Sequence, residues 1–198
     1  MISALEALDR LREGNRRFAA DRAGQGSVTT ARRVEVAAGQ EPFAIILGCS
    51  DSRVPAELVF DQGLGDLFVI RVAGNIVAPS QVGSVEFAAE RFHTRLVVVL
   101  GHSQCGAVQA TLEEMRRPAT GQSRNLKSIV DRIRPAVEGL TDMSQAVRAN
   151  VRASANHLRH GSAVLEQLVL TNGLVVVGAE YSLETGLVDF FDGVPGRG

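Results

Sequence analysis

Two short apolar runs constrain this chain more than any other feature. Phe43-Ala-Ile-Ile-Leu leads into Gly48-Cys49-Ser50-Asp51-Ser52-Arg53, and Leu96-Val-Val-Val-Leu leads into Gly101-His102-Ser103-Gln104-Cys105. Each run is too short for a helix and offers no polar side to solvent, so each reads as a fully buried strand of a parallel sheet. In open α/β sheets, ligand sites lie beyond the carboxyl ends of the strands. If the two strands are neighbours, Cys49 and His102 come together at one edge, and Cys105 joins them three residues later. Two thiolates and an imidazole make a catalytic type of zinc set, with a fourth position left for water or for Asp51.

The rest of the pattern is compatible with that core. Ser3 to Ala20 carries leucines at helical spacing between arginines, an amphipathic helix that packs either on a partner subunit or on its own domain. Residues 21–28 read as a polar, glycine-rich loop, and Thr30 to Ala38 as a short helix. Strands are expected at Phe43–Leu47, Leu67–Val72 (buried), Leu96–Leu100, Leu174–Tyr181 and, antiparallel, Leu187–Phe191. Pro55 suits the first turn of a helix to Phe60. A helix from Pro79 to Phe92 should turn Val82, Val85 and Phe87 to Ala89 inward. Another begins at Gly106, with Ser103 as its cap. The pattern breaks at 117–121, and helices follow over Asn125–Glu138, Thr141–His160 and Ser162–Thr171. Strands alternating with helices give an α/β fold: one domain over 1–198, four parallel strands plus a C-terminal edge strand, flanked by helices. It divides into an N-terminal helical arm (1–40), a zinc-site core (43–115) and C-terminal helices with the last strands (123–198).

Composition excludes more than it selects. With a net charge of −1 over 198 residues, nothing points to nucleic acid or an anionic membrane, and no apolar run could span a bilayer. The first 20 residues lack the pattern of a signal peptide, so a cytoplasmic protein is expected. Only two cysteines are present, and both belong to the candidate site. A disulfide or two inert buried thiols are the alternatives to a metal. His93, His157 and His160 read as surface or capping residues.

The charge of the metal set matters. Zinc with two thiolates and a neutral imidazole sums to zero, so its water should ionise less readily than in a three-histidine site, and a rate that rises with pH is expected. Asp51 can accept a hydrogen bond from that water while Arg53 holds Asp51 off the metal.

Cys49-Ser50-Asp51-Ser52-Arg53 together with His102-Ser103-Gln104-Cys105 resembles the β-class carbonic anhydrases, as do the segment from Gln62 to Asn75 and the Gly106-Ala107 start of a helix. The resemblance implies one zinc per chain on Cys49, His102 and Cys105, with Asp51 and Arg53 as the catalytic dyad. It implies reversible hydration of carbon dioxide to bicarbonate by zinc-bound hydroxide, in a homodimer or homotetramer whose N-terminal helix reaches across. Ile46 stands where one subtype has a tryptophan of an inhibitory bicarbonate pocket. Gln40 and Phe68 match substrate-lining positions of the other subtype. Phe87 stands where a tyrosine is common there, and Gly106 falls in the same pocket. Phe68 and Phe87 read equally well as core. Two other functions stay open: hydrolysis of carbonyl sulfide or carbon disulfide on the same scaffold, and a non-catalytic zinc protein closed by Asp51.

Overall fold

The computed structural model describes residues 2–24, 28–117 and 123–196. The expected loop at 21–28 therefore lies partly outside the described residues, as does the break at 117–121 from residue 118 onward.

Five strands, β1 (Ala44–Gly48), β2 (Leu67–Arg71), β3 (Leu96–His102), β4 (Val175–Tyr181) and β5 (Val188–Asp192), form one sheet in the order β2-β1-β3-β4-β5. The first three neighbouring pairs are parallel and β4–β5 is antiparallel, the expected arrangement. Every residue of β1 and β3 is buried, as their unbroken apolar runs require. The chain leaves β1 for β2 on one side and returns to β3 on the other, so the strand order reverses between β1 and β3 at their carboxyl ends.

The helices are α1 (Ala4–Ala19), α2 (Thr30–Val36), α3 (Ala56–Val59), α4 (Pro79–Arg91), α5 (Gly106–Arg116), α6 (Arg124–Val137), α7 (Met143–His160) and α8 (Ala163–Asn172). Alternation along the strands divides the core. Ile46, Val98 and Val177 pack with residues of α1 and α3 on one face. Ile45, Leu47, Val97 and Val99 pack with residues of α4, α7 and α8 on the other. Two glycines bring α7 unusually close. A Cβ on Gly101 would lie 2.5 Å from Val151 Cγ2, and one on Gly178 would lie 2.9 Å from Val151 Cγ1. Among the described residues, no helix is long and apolar enough to cross a membrane.

Several expectations are corrected. Helix α1, which sequence left open between a partner and its own domain, buries Ala7, Leu8 and Leu11 in its own core. Its Asn15 is buried as well, donating to the carbonyls of Val59 and Gly186 and accepting from the N–H of Val188. Amphipathic spacing gives the apolar face but not which chain covers it. Strand β2 lies at the sheet edge, so it is only partly buried. Pro55 is the N-cap of α3 rather than part of its first turn. On α4, Val85, Ala88 and Ala89 are buried, but Val82 is only partly covered and Phe87 faces outward, 53% exposed. Helical geometry allows one stripe only, and Phe87 sits about 100° from Ala88 on the helix circumference.

The packing of α1 leads to a prediction. Leu11→Ala should destabilise the protein by about 2–5 kcal/mol, because a fully buried leucine is truncated. Urea unfolding at several protein concentrations checks it. With α1 on its own core, the loss in midpoint is the same at each concentration. A loss confined to dilute samples would mean that α1 covers a partner.

Candidate metal centre

The carboxyl ends of β1 and β3 build the site. Cys49 is the first residue after β1, and His102 is the last residue of β3. Cys105 caps the N-terminus of α5, the place expected for Ser103. The Ser103 hydroxyl instead accepts from the N–H of Leu183, which ties the loop to the end of β4. The ligand-type atoms of Cys49, His102 and Cys105 all lie within 4.8 Å of one another, and all three residues are buried. Both cysteines are free thiols, so the disulfide alternative is not what forms here.

Histidine 102 is set up as a ligand. Its Nδ1 lies 2.9 Å from the carbonyl of Ser103, and a carbonyl can only accept, so the proton sits on Nδ1 and the lone pair on Nε2. That Nε2 is fully buried and has no hydrogen-bond partner among the described residues. A buried polar atom without a partner is costly. A soft divalent cation bound by two sulfurs and this nitrogen removes the cost, and the donor set matches zinc.

The two sulfurs are unequal without a metal. The neighbouring Cys105 thiol pulls the Cys49 pKa down strongly. Burial opposes this, and the N–H of Gly74, 3.3 Å from Cys49 Sγ, adds to it. The same sharing, together with burial, pushes Cys105 far up. The pair thus shares one proton between two sulfurs, which a bound cation would replace.

Asp51 stands beside this cluster, its Oδ2 3.9 Å from His102 Nε2. Arg53 grips it in two places: Nε donates to Oδ1 at 2.9 Å and Nη2 to Oδ2 at 2.7 Å, while the Arg53 backbone N–H also donates to Oδ1. These bonds, the guanidinium ones first, hold the Asp51 carboxyl well below the usual carboxylate range. Arg71, at the end of β2, donates from Nε to the carbonyl of Cys49 and from Nη2 to that of Asp51. It thereby fixes the loop that carries Cys49, Asp51 and Arg53.

The remaining sequence candidates are dispersed. Gly106 follows Cys105 directly, and nothing would lie within 4 Å of a Cβ built on it, so the space beside it is open. Gln40 precedes β1, at the opposite end of that strand. Phe68 pairs with Ile45 in register, four residues before Cys49 and so roughly 13 Å away along the strand. It clusters with Phe87 and Phe92 at ring separations of 6.2 and 6.0 Å. Within one chain, then, the metal set, the dyad and Gly106 come together, and Gln40, Phe68 and Phe87 do not. Sequence reasoning missed Arg71 and the Gly74 N–H. No spacing in the sequence ties the Ala73-Gly74-Asn75 turn to the sulfur it faces.

Residues 44–188 match the family model described as carbonic anhydrase. The chain belongs to that family. Carbonic anhydrase 2 of Mycobacterium tuberculosis is 38% identical over 181 residues, covering 89% of this chain and 87% of the relative. The carbonic anhydrase of Mycolicibacterium smegmatis is 36% identical over 184 residues, covering 90% and 89%. Among solved structures, the β-carbonic anhydrase CafA of Aspergillus fumigatus superposes with a TM-score of 0.72 at 25% identity, over 96% of this chain and 90% of that one. A tetrameric β-carbonic anhydrase of Sordaria macrospora has a TM-score of 0.71 at 22% identity, over 94% and 97%, a likeness of fold. The protein is thus an enzyme of the β-carbonic anhydrase family, and hydration of carbon dioxide is its general kind of reaction.

Proposed function

We propose that the protein catalyses the reversible hydration of carbon dioxide to bicarbonate and a proton, with one zinc ion held by Cys49, His102 and Cys105. The observation that carries this is His102 Nε2, buried and unpartnered beside two thiols, with Asp51 held next to it by Arg53. Zinc in such a set would supply Lewis acidity, which makes an oxygen nucleophile easier to draw from water than in bulk solvent. The chain's own groups do the rest. The Asp51 carboxylate accepts a hydrogen bond from the reacting water and fixes where its lone pair points. Arg53 keeps Asp51 in that position and away from the fourth ligand site. The open space beside Gly106 admits a small, uncharged substrate.

A homodimer or homotetramer fits this reading. Among the described residues the outer edge of β2 is unpaired, and Phe87 is exposed. On this reading Gln40, Phe68 and Phe87 line substrate across a subunit boundary, towards a partner's metal and not their own. Two thiols kept free fit a reducing, cytoplasmic setting. The bidentate Arg53 grip argues against a site permanently closed by Asp51.

The test is a stopped-flow hydration assay run beside a carbonyl sulfide assay, with bound metal measured on the same samples. We expect one zinc per chain and fast hydration. Full zinc occupancy with carbonyl sulfide consumed and carbon dioxide ignored would assign the scaffold to the sulfur analogue. Full occupancy with neither activity would make it a structural zinc protein.

A further inference from the structure

The turn Ala73–Asn75 faces the metal centre on one side and α7 on the other. Its backbone is unusual: Gly74 and Asn75 are consecutive residues in the left-handed region, with φ of 70° and 43°. Asparagine tolerates this conformation better than most residues, but two in succession still need external support. The support comes from the far side of the fold. Asn150 Nδ2 donates to the Gly74 carbonyl at 2.8 Å, and Ser154 Oγ donates to the Asn75 carbonyl at 3.0 Å. Both side chains are buried, Asn150 to 2% and Ser154 to 5% exposure. Four residues apart, they lie on one face of α7. Val151, adjacent to Asn150, is the residue seated against Gly101 and Gly178, which lets the helix come near enough to reach the turn.

The turn in turn sets the Gly74 N–H that donates to Cys49 Sγ. An N–H aimed at a thiolate stabilises its charge and fixes which lone pair is left for a cation. The turn has little freedom to find this geometry unaided. A Cβ on Gly74 would lie 2.8 Å from Ile133 Cδ1 and 3.0 Å from Ala107 Cβ, so the backbone is hemmed in by α5 and α6 as well.

We propose that Asn150 and Ser154 are positioning residues for the metal centre, acting through the 73–75 turn to hold the Gly74 N–H on Cys49. This rests on the zinc reading above, and it involves residues 101 or more positions from Cys49 in sequence. Neither touches the ligand cluster. Their effect is transmitted through two carbonyls and one amide.

The test uses full-length protein with Asn150→Ala, Ser154→Ala and Ser154→Thr. Two readouts are followed: hydrogen exchange of the Gly74 amide in metal-free protein, and release of bound metal to a chelator, with cobalt(II) as the probe for its thiolate-to-metal absorption. Asn150→Ala should speed exchange at Gly74 and release metal on the order of 10-fold faster or more, with a shifted thiolate band. Ser154→Ala should do the same more weakly, and Ser154→Thr, which keeps the hydroxyl, should restore wild-type behaviour. Should Asn150→Ala fail to fold, the Ser154 pair carries the test alone. Unchanged Gly74 exchange in the alanine variants overturns the clamp. Faster exchange with unchanged metal release and an unshifted band overturns its role at the metal. A wild-type protein that takes up no metal, yet whose Gly74 amide depends on Asn150, would instead sink the zinc reading and leave the clamp standing.

Discussion

Cys105→Ser should give a folded protein with almost no bound metal and no hydration above background. The argument is chemical. Cys105 is 1% exposed at the N-terminus of α5, where the first-turn N–H groups and the helix dipole favour an anion. A thiol placed there loses its proton to a cation, but a serine hydroxyl keeps its own near neutral pH. The replacement also leaves the buried His102 Nε2 with too few co-ligands to retain a cation. Loss of a direct ligand should exceed the 10- to 100-fold typical of the groups that orient ligands, so metal content after gel filtration should fall to roughly a tenth or less of wild type. Cys49→Ser should behave alike, because Cys49 supplies the other sulfur of the same buried cluster. The fold should survive both changes, since neither sulfur takes part in the strand pairing that carries β1 and β3. Circular dichroism separates loss of metal from loss of structure. A double Cys49/Cys105 variant that retained stoichiometric zinc would refute the ligand assignment.

Why Cys49, His102 and Cys105 were legible as a cluster while the residues packed behind it were not is itself physical. Cys49 and His102 follow runs so apolar that only buried parallel strands accommodate them. Parallel neighbours ending in glycine deliver both residues to one edge whatever the rest of the chain does. Cys105 is tied to His102 by three residues of backbone, and Arg53 to Asp51 by two. All of these are local relations, and sequence spacing determines local relations well. Asn150 and Ser154 relate to the site only through the packing of α7 on β3 and β4, and no spacing encodes that contact. The nearest signal was indirect, in glycines at 101 and 178 within buried strands, which mark where another backbone or side chain must come close. The same limit explains α1. Its leucines predict an apolar face, and the buried Asn15, bonded to residues 44 and 171 positions away, decides in the structure which surface that face meets. For Phe87 the pattern misled, since an aromatic residue beside Ala88 and Ala89 resembles core until helix rotation is fixed. Gln40 and Phe68 show a third case. The resemblance assigns both to a pocket, yet Gln40 precedes β1 and Phe68 lies on β2 beside Ile45, both away from the strand ends where Cys49 and His102 meet.

Asp51→Ala and Arg53→Ala should each keep zinc and lower hydration by on the order of 100-fold or more, the usual cost of removing one organising hydrogen-bond partner in a reacting site. They should fail for different reasons, and pH tells them apart. In the wild type, Arg53 lowers the Asp51 pKa below its unfolded value. A lowered folded-state pKa means that the pair's contribution is present above the ordinary carboxylate range, near pH ~4, and is lost only as pH falls through the depressed value. Asp51 is therefore ionised at every pH from weakly acidic upward. A rise in wild-type rate between weakly acidic and alkaline pH thus cannot come from Asp51 losing its proton, and belongs to the metal centre. Asp51→Ala should keep that rise at a uniformly lower rate, because the lost group does not titrate in the range. Arg53→Ala is different. The carboxylate keeps its charge at neutral pH but has lost both guanidinium bonds, and its Oδ2 starts only 3.9 Å from His102 Nε2. It should swing onto the fourth ligand position and close the site, most completely at low pH, where the reacting water competes least as an anion. X-ray absorption at low and high pH reads this directly, as a carboxylate oxygen in the metal's coordination in Arg53→Ala and none in Asp51→Ala. Near wild-type rates in both variants would reduce the pair to a clamp on the 49–53 loop. Identical coordination in the two at every pH would remove Arg53 as the group that keeps Asp51 off the metal.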